Sequence, residues 1–310
     1  MARTDHDFAA ELAARLAGRV ELDASLGGLT TYRVGGRVSA LVRAGTVGDL
    51  RVVGEVLRGR GVAVLVVGRG SNLLVADEGF VGVAVTLEGE FETIQIHDDT
   101  VTAGGGVALG VLARRSAAAG RGGLEFLVGV PGSVGGAVRM NAGGHGREIR
   151  DVLVRAETLD LSTGDEVVAR TASSLELAYR HSAIARDEVV VRAELAASRE
   201  PVDRCEARIA EIVRWRREHQ PGGANAGSVF TNPPGDSAGR LIDAAGLTGL
   251  RVGGAVVSDK HANFIQAEPG ALAADVRALI EEVQRRVEAG AGVRLRPELT
   301  MIGFAETAGW

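Results

Sequence analysis

Three short segments of the 310-residue sequence contain side chains that can move protons or stabilise negative charge. GANAGSVFTNP at 223–233 places Ser228 among small residues that would let a substrate approach closely. Arg180 follows Tyr179 in LAYRHSA, and a buried arginine there would need an anion as partner. Glu298 lies among apolar neighbours in LRPELTMIGF. Plainer interpretations remain open: an interdomain loop for Ser228, a half-buried tyrosine beside Arg180, and edge-strand solubility for Glu298.

A fourth segment, SDKHANF at 258–264, contains the only lysine among 35 basic residues. Lys260 stands beside His261 and Asn263. Lysine is a compact, mobile cation whereas arginine is a rigid fork, so a single lysine in an arginine-rich chain is a candidate ligand for an anion. An ordinary surface lysine is the alternative. The chain also has only five asparagines and two tyrosines, which fall in the same unusual segments.

Glycine makes up 44 of the 310 residues and is concentrated between residues 103 and 146. Three glycine-rich segments present backbone N–H groups with little side-chain bulk: GRGSN at 68–72, AGGG at 103–106 and GVPGSVGGAVRMNAGG at 129–144. The second lies between a predicted strand and a predicted helix, where N–H groups and the helix dipole favour a phosphate. A tight turn explains any one of them, but three together predict an extended nucleotide cofactor.

The spacing of glycines, histidines and cysteine excludes several common nucleotide-binding and metal-binding motifs. GRGSNL lacks the third glycine of a dinucleotide fingerprint, and no GxxxxGK phosphate loop exists. The histidines show no metal-ligand spacing, and one cysteine, Cys205, cannot form an internal disulfide or a cysteine-based metal cluster, so no metal is expected. GxSxG is absent, although spacing alone does not exclude a serine triad.

Bulk composition narrows the class of protein. A net charge of −5 and 4% aromatic residues argue against a nucleic-acid partner. The longest uncharged stretch, residues 126–138, is shorter than the ~18 apolar residues that a membrane span needs. The first 20 residues are amphipathic and lack the apolar core of a signal peptide. A cytoplasmic protein without membrane insertion is therefore expected.

Hydrophobic periodicity predicts an α+β protein with more than one domain. We expect an N-terminal helix and lead-in at 1–28, a domain at 29–198 and a C-terminal domain at 199–310, because Pro201 precedes a long helix and the pattern changes after it. The predicted helices are 7–18, 49–61, 107–120, 202–219, 237–246 and 270–289. The predicted strands include 62–68, a hairpin at 91–106, and runs at 151–161, 166–170, 187–195 and 293–303.

The ordered set TYRVGG, GRGSNLLVAD, EFLVGVPGSVGGAVRMNAG, YRHS, NAGSVFTNP, AGRLIDAAGLTG, GGAVVSDKHANFIQ and RPELTMIGF resembles the UDP-N-acetylenolpyruvoylglucosamine reductases. The resemblance runs from about residue 20 to 304. It implies a vanillyl-alcohol-oxidase (PCMH)-type FAD-binding domain followed by a smaller α/β substrate-binding domain. It also implies a flavoenzyme of peptidoglycan precursor synthesis, with non-covalent FAD, that uses NADPH to reduce UDP-N-acetylglucosamine enolpyruvate to UDP-N-acetylmuramate. A monomer is expected.

The resemblance assigns roles to matching residues. The catalytic set is Arg180, Ser228 as proton donor, and Glu298. The implied cofactor-binding residues are Tyr32, Gly68, Arg69, Gly70, Ser71, Asn72, Leu73, Gly104, Gly105, Gly106, Gly129, Val130, Pro131, Gly132, Ser133, Gly135, Gly136, Asn141, Ala142 and Gly143. The expected substrate-binding residues are Tyr179, Asn225, Asn232, Arg240, Lys260, His261 and Asn263.

The chain departs from the family pattern at a few places. Arg69 stands where a small glycine is common, and His145 stands where an aromatic residue is frequent. The segment between Ser182 and Val189 is short, as in the family's class without a tyrosine-bearing insertion. Two other functions remain open: a different oxidase on the same FAD domain, or a non-enzymatic flavin-binding regulator. Neither would need Arg180, Ser228 and Glu298 together.

Overall fold

The computed structural model describes residues 7–163 and 166–304. Within these ranges the α-helices are α1 (Asp7–Arg15), α2 (Val47–Leu57), α3 (Leu109–Ala118), α4 (Val134–Arg139), α5 (Val202–His219), α6 (Ala238–Ala244) and α7 (Ala273–Ala291). The longer strands and the short ones between them are β1 (Val20–Ser25), β2 (Arg37–Ala44), β3 (Val64–Val66), β4 (Leu73–Val75), β5 (Phe80–Leu87), β6 (Ile94–Ile96), β7 (Thr100–Gly104), β8 (Arg121–Gly122), β9 (Gly143–Gly144), β10 (Arg147–Glu148), β11 (Leu153–Asp160), β12 (Val167–Thr171), β13 (Glu188–Ala196), β14 (Ser198–Arg199), β15 (Arg251–Val252), β16 (Ala255–Val257), β17 (Ile265–Ala267) and β18 (Thr300–Ile302).

The six helices predicted from periodicity are present, with ends shifted by a few residues, and α5 matches its predicted bounds. The sequence did not predict α4. Two of its six residues are Gly135 and Gly136, which lower helix propensity and hide the pattern. Ser133 caps this helix by accepting a hydrogen bond from the Gly136 N–H at 3.3 Å.

The chain divides into two compact units whose segments alternate along the sequence. The first unit contains the described residues up to Ala24, then Ser39–Arg69 and Gly82–Arg216. The second contains Ser25–Val38, Gly70–Val81 and the chain from Arg217 onward.

This division differs from the predicted bounds of 1–28, 29–198 and 199–310. Most of α5 belongs to the first unit, because Cys205 and Ile209 pack on Ala117 there. Residues 70–81 belong to the second unit because β4 pairs in parallel with β18.

In the first unit, a five-stranded antiparallel sheet has the order β12-β11-β13-β7-β6. Helices α3 and α4 contribute Leu112 and Val138 to the buried core on this sheet. Helices α1 and α2 pack on a four-stranded sheet of order β1-β2-β5-β3, and Leu12 and Leu50 lie in the shared core. A capping box starts α2, because Thr46 and Asp49 satisfy each other's backbone N–H groups.

In the second unit, α6 and α7 share one core with the antiparallel sheet β15-β16-β17. Tyr32 and Leu74, from the two early segments of the chain, are buried in that core. Asp77, which follows β4, accepts hydrogen bonds from the Ala273 and Ala274 N–H groups at 2.9 Å each. The early segment therefore caps the first turn of α7 as well as packing beneath it.

Candidate active site

Ser228 and Glu298 lie on neighbouring backbone segments of the second unit. The Glu298 N–H donates to the Val229 carbonyl at 2.7 Å, and Phe230 forms an antiparallel bridge with Pro297. The residue after Ser228 is thus hydrogen-bonded directly to Glu298. Both side chains are half-buried. The structure therefore brings together two of the three residues predicted to be catalytic.

Asn263 holds the segment that follows Ser228. Its amide accepts from the Phe230 N–H and donates to the Phe230 carbonyl, both at 2.9 Å, and its own carbonyl accepts from the Val229 N–H at 2.9 Å. Asn263 is 4% exposed, so these are buried bonds. The sequence assigned Asn263 to the substrate, but the structure engages its amide with the backbone.

Arg180 lies in the first unit, on a tight turn closed by reciprocal backbone bonds between Ala178 and His181. Its φ of 56° is in the left-handed region, which is uncommon for a residue other than glycine. The guanidinium lies 4.9 Å from the centre of the exposed Tyr179 ring. Asn141 donates to the Ala178 carbonyl at 2.9 Å, and the Ser182 hydroxyl donates to the Arg139 carbonyl at 2.6 Å.

The glycines at 104–106 do not form the predicted phosphate-binding turn through their N–H groups. Gly104, Gly105 and Gly106 donate to the carbonyls of Thr93, Val191 and Phe91, respectively, at 2.9–3.0 Å. A Cβ at Gly104 or Gly105 would overlap a backbone carbonyl, that of Phe91 or of Val190. These glycines are required because backbone segments pack there without room for a side chain.

Gly68, which begins the 68–72 segment, lies against the 129–144 segment inside the first unit. A Cβ at Gly68 would overlap the Ser133 hydroxyl. The N–H of Gly135 donates to the Gly105 carbonyl at 2.9 Å, so the start of α4 is tied to the strand edge. The structure thus assembles glycine segments that are far apart in the sequence, as a shared cofactor site would require.

His145, one of the departures from the family pattern, packs beside this region. Its ring lies edge-on to Trp215, with centroids 5.1 Å apart, and a Cβ on Gly129 would come within 2.9 Å of it. Burial lowers the pKa of His145, and nearby Arg216 lowers it further against the opposing effect of Glu211. The lowered pKa favours the neutral imidazole where it packs against Trp215.

The second unit holds the remaining predicted cofactor residues. The Thr31 N–H donates to the Gly70 carbonyl at 3.2 Å, which joins TTYRVGG to the loop at 70–73. The hydroxyls of Thr31 and Tyr32 are buried and have no hydrogen-bond partner within residues 7–163 and 166–304. Burial also raises the pKa of Tyr32, so its hydroxyl stays neutral. Sequence reasoning selected Tyr32 but missed Thr31, its neighbour in the same motif.

Asn72 lies at the other end of that loop and bonds Glu298. Its side-chain amide donates to the Glu298 carbonyl at 3.0 Å, and its own carbonyl accepts from the Thr300 N–H at 3.0 Å. The Asn72 side chain is therefore hydrogen-bonded to the backbone of Glu298. The two residues are 226 positions apart, so the sequence alone could not show this bond.

Two of the asparagines predicted to bind substrate organise loops. Asn225 accepts from the Gly227 N–H at 3.0 Å and donates to the Gly222 and Gly223 carbonyls at 3.2 Å each. Asn232 accepts from the Ala238 N–H at 3.0 Å, at the start of α6. Both amides shape the backbone on either side of Ser228.

The predicted substrate cations lie in the same unit. Arg240 pairs with Asp236, whose pKa falls to about 2 through this hydrogen bond and that of the Ser237 N–H. Lys260 is exposed and donates to the Arg217 carbonyl at 2.5 Å. Burial lowers the pKa of His261, whose Nδ1 accepts from the Asn263 N–H at 3.2 Å. Both cations are exposed, but Arg240 forms an ion pair with Asp236 whereas Lys260 donates to a backbone carbonyl.

One cluster has metal-ligand chemistry that the sequence did not predict. Ligand atoms of Glu125, Glu200 and Cys205 lie within 4.8 Å of one another. Arg208 forms ion pairs with both carboxylates. Burial and the nearby Glu125 raise the pKa of Cys205 to about 11, so the thiol stays protonated. A single cation, Arg208, already pairs with both carboxylates, and Cys205 belongs to the packing between α3 and α5.

Comparison with known proteins identifies the family. A family model described as the C-terminal domain of UDP-N-acetylenolpyruvoylglucosamine reductase matches residues 219–302, and an FAD-binding-domain model matches residues 38–170. A UDP-N-acetylenolpyruvoylglucosamine reductase of Paramagnetospirillum magneticum is 45% identical over 99% of both chains. One from Acidiphilium cryptum is 44% identical over 93% of this chain and 92% of its own. The chain belongs to the UDP-N-acetylenolpyruvoylglucosamine reductase family.

A solved structure supports the same assignment. The crystal structure of the Thermus caldophilus UDP-N-acetylenolpyruvylglucosamine reductase matches with a TM-score of 0.81 and 38% identity, over 92% of this chain and 99% of its own. The predicted fold class, a PCMH-type FAD-binding domain followed by a C-terminal α/β domain, is confirmed. The protein is a family oxidoreductase with an FAD-binding domain. Within the described residues, no helix is both long and apolar enough to cross a membrane.

Proposed function

We propose that the protein uses NADPH to reduce UDP-N-acetylglucosamine enolpyruvate to UDP-N-acetylmuramate, a step of peptidoglycan precursor synthesis. The main support is the full-length match to reductases of that name together with the pairing of the Ser228 and Glu298 segments. FAD, held non-covalently, would carry the hydride from NADPH to the enol-ether carbon. Both substrates are cytoplasmic nucleotides, so the proposal includes a cytoplasmic location, and size-exclusion chromatography tests the expected monomer.

The residues present fit FAD in two respects. Thr31 and Tyr32 hold buried hydroxyls without a partner among the described residues, and a bound polar group would remove the cost of leaving them unpaired. Gly68 and Gly70 have no side chain to cover the backbone of their loop, so a cofactor phosphate could approach its N–H groups closely. The predicted contacts at Arg69, Ser71, Leu73 and the 129–143 segment complete this set. The N–H groups of Gly104–Gly106 do not belong to it as donors.

The three proposed catalytic residues have complementary tasks. Hydride addition leaves negative charge on the substrate carboxylate side as an enolate. The guanidinium of Arg180 and the carboxyl group of Glu298, when protonated, can stabilise that charge by ionic and hydrogen bonding. Ser228 then donates the proton that completes the lactyl ether. A hydroxyl is a weak acid, so this role requires surrounding groups that stabilise its conjugate base.

Measuring the two half-reactions separately distinguishes proton donation by Ser228 from a role in substrate binding. Ser228→Ala should leave NADPH-driven bleaching of the flavin intact and slow its reoxidation by the enolpyruvyl substrate roughly 10²- to 10⁴-fold, the usual contribution of a positioned proton donor. Anaerobic stopped-flow absorbance measures both rates. Ser162→Ala, which changes an exposed serine that bonds Asp160 outside the motif segments, is the control.

Two results would contradict the proposal. Equal slowing of both half-reactions would remove the proton-donor role from Ser228. Bleaching by NADPH without reoxidation by the enolpyruvyl substrate in the unmodified protein would indicate a different oxidase or a flavin-binding regulator.

A further inference from the structure

We propose that Asn72, Asn141 and Asn263 are positioning residues, one for each proposed catalytic residue. Each donates its side-chain amide to a backbone carbonyl that belongs to a catalytic residue or lies two positions from it. The inference rests on the proposed roles of Arg180, Ser228 and Glu298 and adds a set of groups that act through them.

Asn263 fixes Ser228 through Phe230. The Phe230 backbone N–H donates to the Asn263 side-chain oxygen, and the Phe230 carbonyl accepts from the Asn263 side-chain NH₂. A neighbouring β-strand would bond these two groups in the same way. The bonds are buried, where a lost partner leaves an unsatisfied group and the backbone shifts to relieve it. The position of Ser228 therefore depends on an amide 35 residues away in sequence.

Asn72 bonds the polar backbone group of Glu298 that Val229 does not. The Glu298 N–H is bonded to the Val229 carbonyl, and the Glu298 carbonyl accepts from Asn72. With both ends of its backbone bonded, Glu298 has few ways to move relative to the Ser228 segment. Removing the Asn72 donor frees one of the two ends.

Asn141 fixes the turn that carries Arg180. Its amide donates to the Ala178 carbonyl and to Glu148, while its oxygen accepts from the Arg150 N–H at 2.9 Å. Arg180 has a positive φ of 56°, a conformation unfavourable for arginine that persists only when surrounding bonds impose it, whereas the φ of 41° at Asn141 is one that asparagine tolerates well. Ser182 adds a second attachment through Arg139.

Asparagine suits this task because a neutral amide offers a donor and an acceptor on one short side chain. Aspartate has the same shape but cannot donate when ionised. Asn→Asp therefore replaces the donated hydrogen bond with repulsion between a carboxylate and a carbonyl at little change in volume, and measuring stability alongside separates this cost from the effect on catalysis.

A double-mutant cycle tests whether Asn263 acts through Ser228. Asn263→Asp, Ser228→Ala and the double variant are purified with FAD, and both half-reactions are followed by anaerobic stopped flow. Asn263→Asp should slow flavin reoxidation by the enolpyruvyl substrate roughly 10- to 100-fold, the effect of a displacement of about 1 Å, while reduction by NADPH changes less than about twofold. In the Ser228→Ala background, Asn263→Asp should slow flavin reoxidation by less than about a further threefold, because both changes remove the same function, proton donation by Ser228.

Gln266→Glu is the matched control. Its amide also donates to a backbone carbonyl of the second unit, that of Gly222, at 2.9 Å. It should behave as the unmodified protein in both half-reactions. The thermal midpoint of each holoprotein, measured alongside, separates loss of stability from loss of position.

The outcomes distinguish the positioning role of Asn263 from the proposed role of Ser228. If Asn263→Asp slows reoxidation equally with and without Ser228, or slows both half-reactions equally, the positioning role is overturned while Ser228 keeps its own. If Ser228→Ala alone leaves reoxidation unchanged, the proposed function of Ser228 fails and the inference fails with it. If Asn263→Asp does not accumulate as a yellow protein, the cycle of Asn72→Asp with Glu298→Gln, at a more exposed amide, decides by the same criteria.

Discussion

At the scale of single residues, Tyr32 is a buried polar group whose partner is not in the described chain. An unpaired buried hydroxyl costs roughly 1–3 kcal/mol, so Tyr32→Phe should leave the FAD-free protein at least as stable as before. If the hydroxyl bonds FAD, the same change should weaken FAD binding about fivefold, the worth of one net hydrogen bond. Thermal melting of the FAD-free protein and fluorescence titration with FAD measure the two effects. Unchanged FAD affinity would remove Tyr32 from the cofactor site.

Lys260 gives a second prediction at this scale. Lys260→Ala should raise the Michaelis constant for the UDP substrate, or for NADPH if Lys260 binds that phosphate, by roughly 10-fold or more, since hydrogen bonds to charged groups contribute about 1.5–3 kcal/mol. Steady-state kinetics with each substrate varied in turn measures this. Arg251→Ala is the control because it removes an exposed cation that pairs with Glu268 in the same unit. Unchanged constants for both substrates would exclude Lys260 from the site.

The rare residues show what the sequence could and could not predict. Scarcity pointed to the five asparagines, and all five lie in the motifs of the family. Scarcity did not say what they do, because the partner of each amide depends on tertiary structure. Asn263 bonds Phe230 and Asn72 bonds Glu298, across separations of 33 and 226 residues. These two residues, predicted to bind ligands, bond the backbone of Glu298 and of the segment after Ser228, two residues that the sequence predicted to be catalytic.

At the scale of elements, long amphipathic helices were predictable and the glycine-rich segment was not. Helices α5 and α7 have an unbroken polar–apolar period and were found where the sequence placed them. Residues 124–149 have no such period, and α4 forms there because its first N–H groups find carbonyls on Val107 and Gly105. A local pattern cannot show those partners. The same reason explains why 104–106 looked like a phosphate-binding turn.

The start of α7 provides a test at this scale. Asp77 accepts from two N–H groups in its first turn, and an N-cap contributes about 0.5–2 kcal/mol. Asp77→Ala should therefore lower the free energy of unfolding by roughly that amount, measured by urea denaturation at pH 7. Asp77→Asn, which keeps an acceptor, should retain most of the stability. Equal stability of all three proteins would show that Asp77 does not hold the helix.

At the scale of the whole molecule, the alternation of segments is the feature that neither composition nor periodicity indicated. The predicted bounds treated each domain as continuous because sequence patterns report local structure. The second unit instead takes Tyr32 and Val34 from one early segment and Leu74 from another into the core beneath α7. The family's C-terminal domain model begins at residue 219, well after both segments.

This arrangement predicts that the C-terminal part of the chain is not an independent folding unit. A fragment of residues 217–310 lacks β4, so β18 loses its parallel partner, and it lacks the large buried Tyr32 side chain and the Asp77 cap of α7. Losing a buried aromatic residue alone costs about 3–5 kcal/mol, a large part of the ~5–15 kcal/mol that stabilises a typical domain. The fragment should show no cooperative unfolding transition by circular dichroism, whereas adding a separate chain of residues 1–216 should restore one. Cooperative unfolding of the fragment by itself would show that the early segments attach to a core that forms without them.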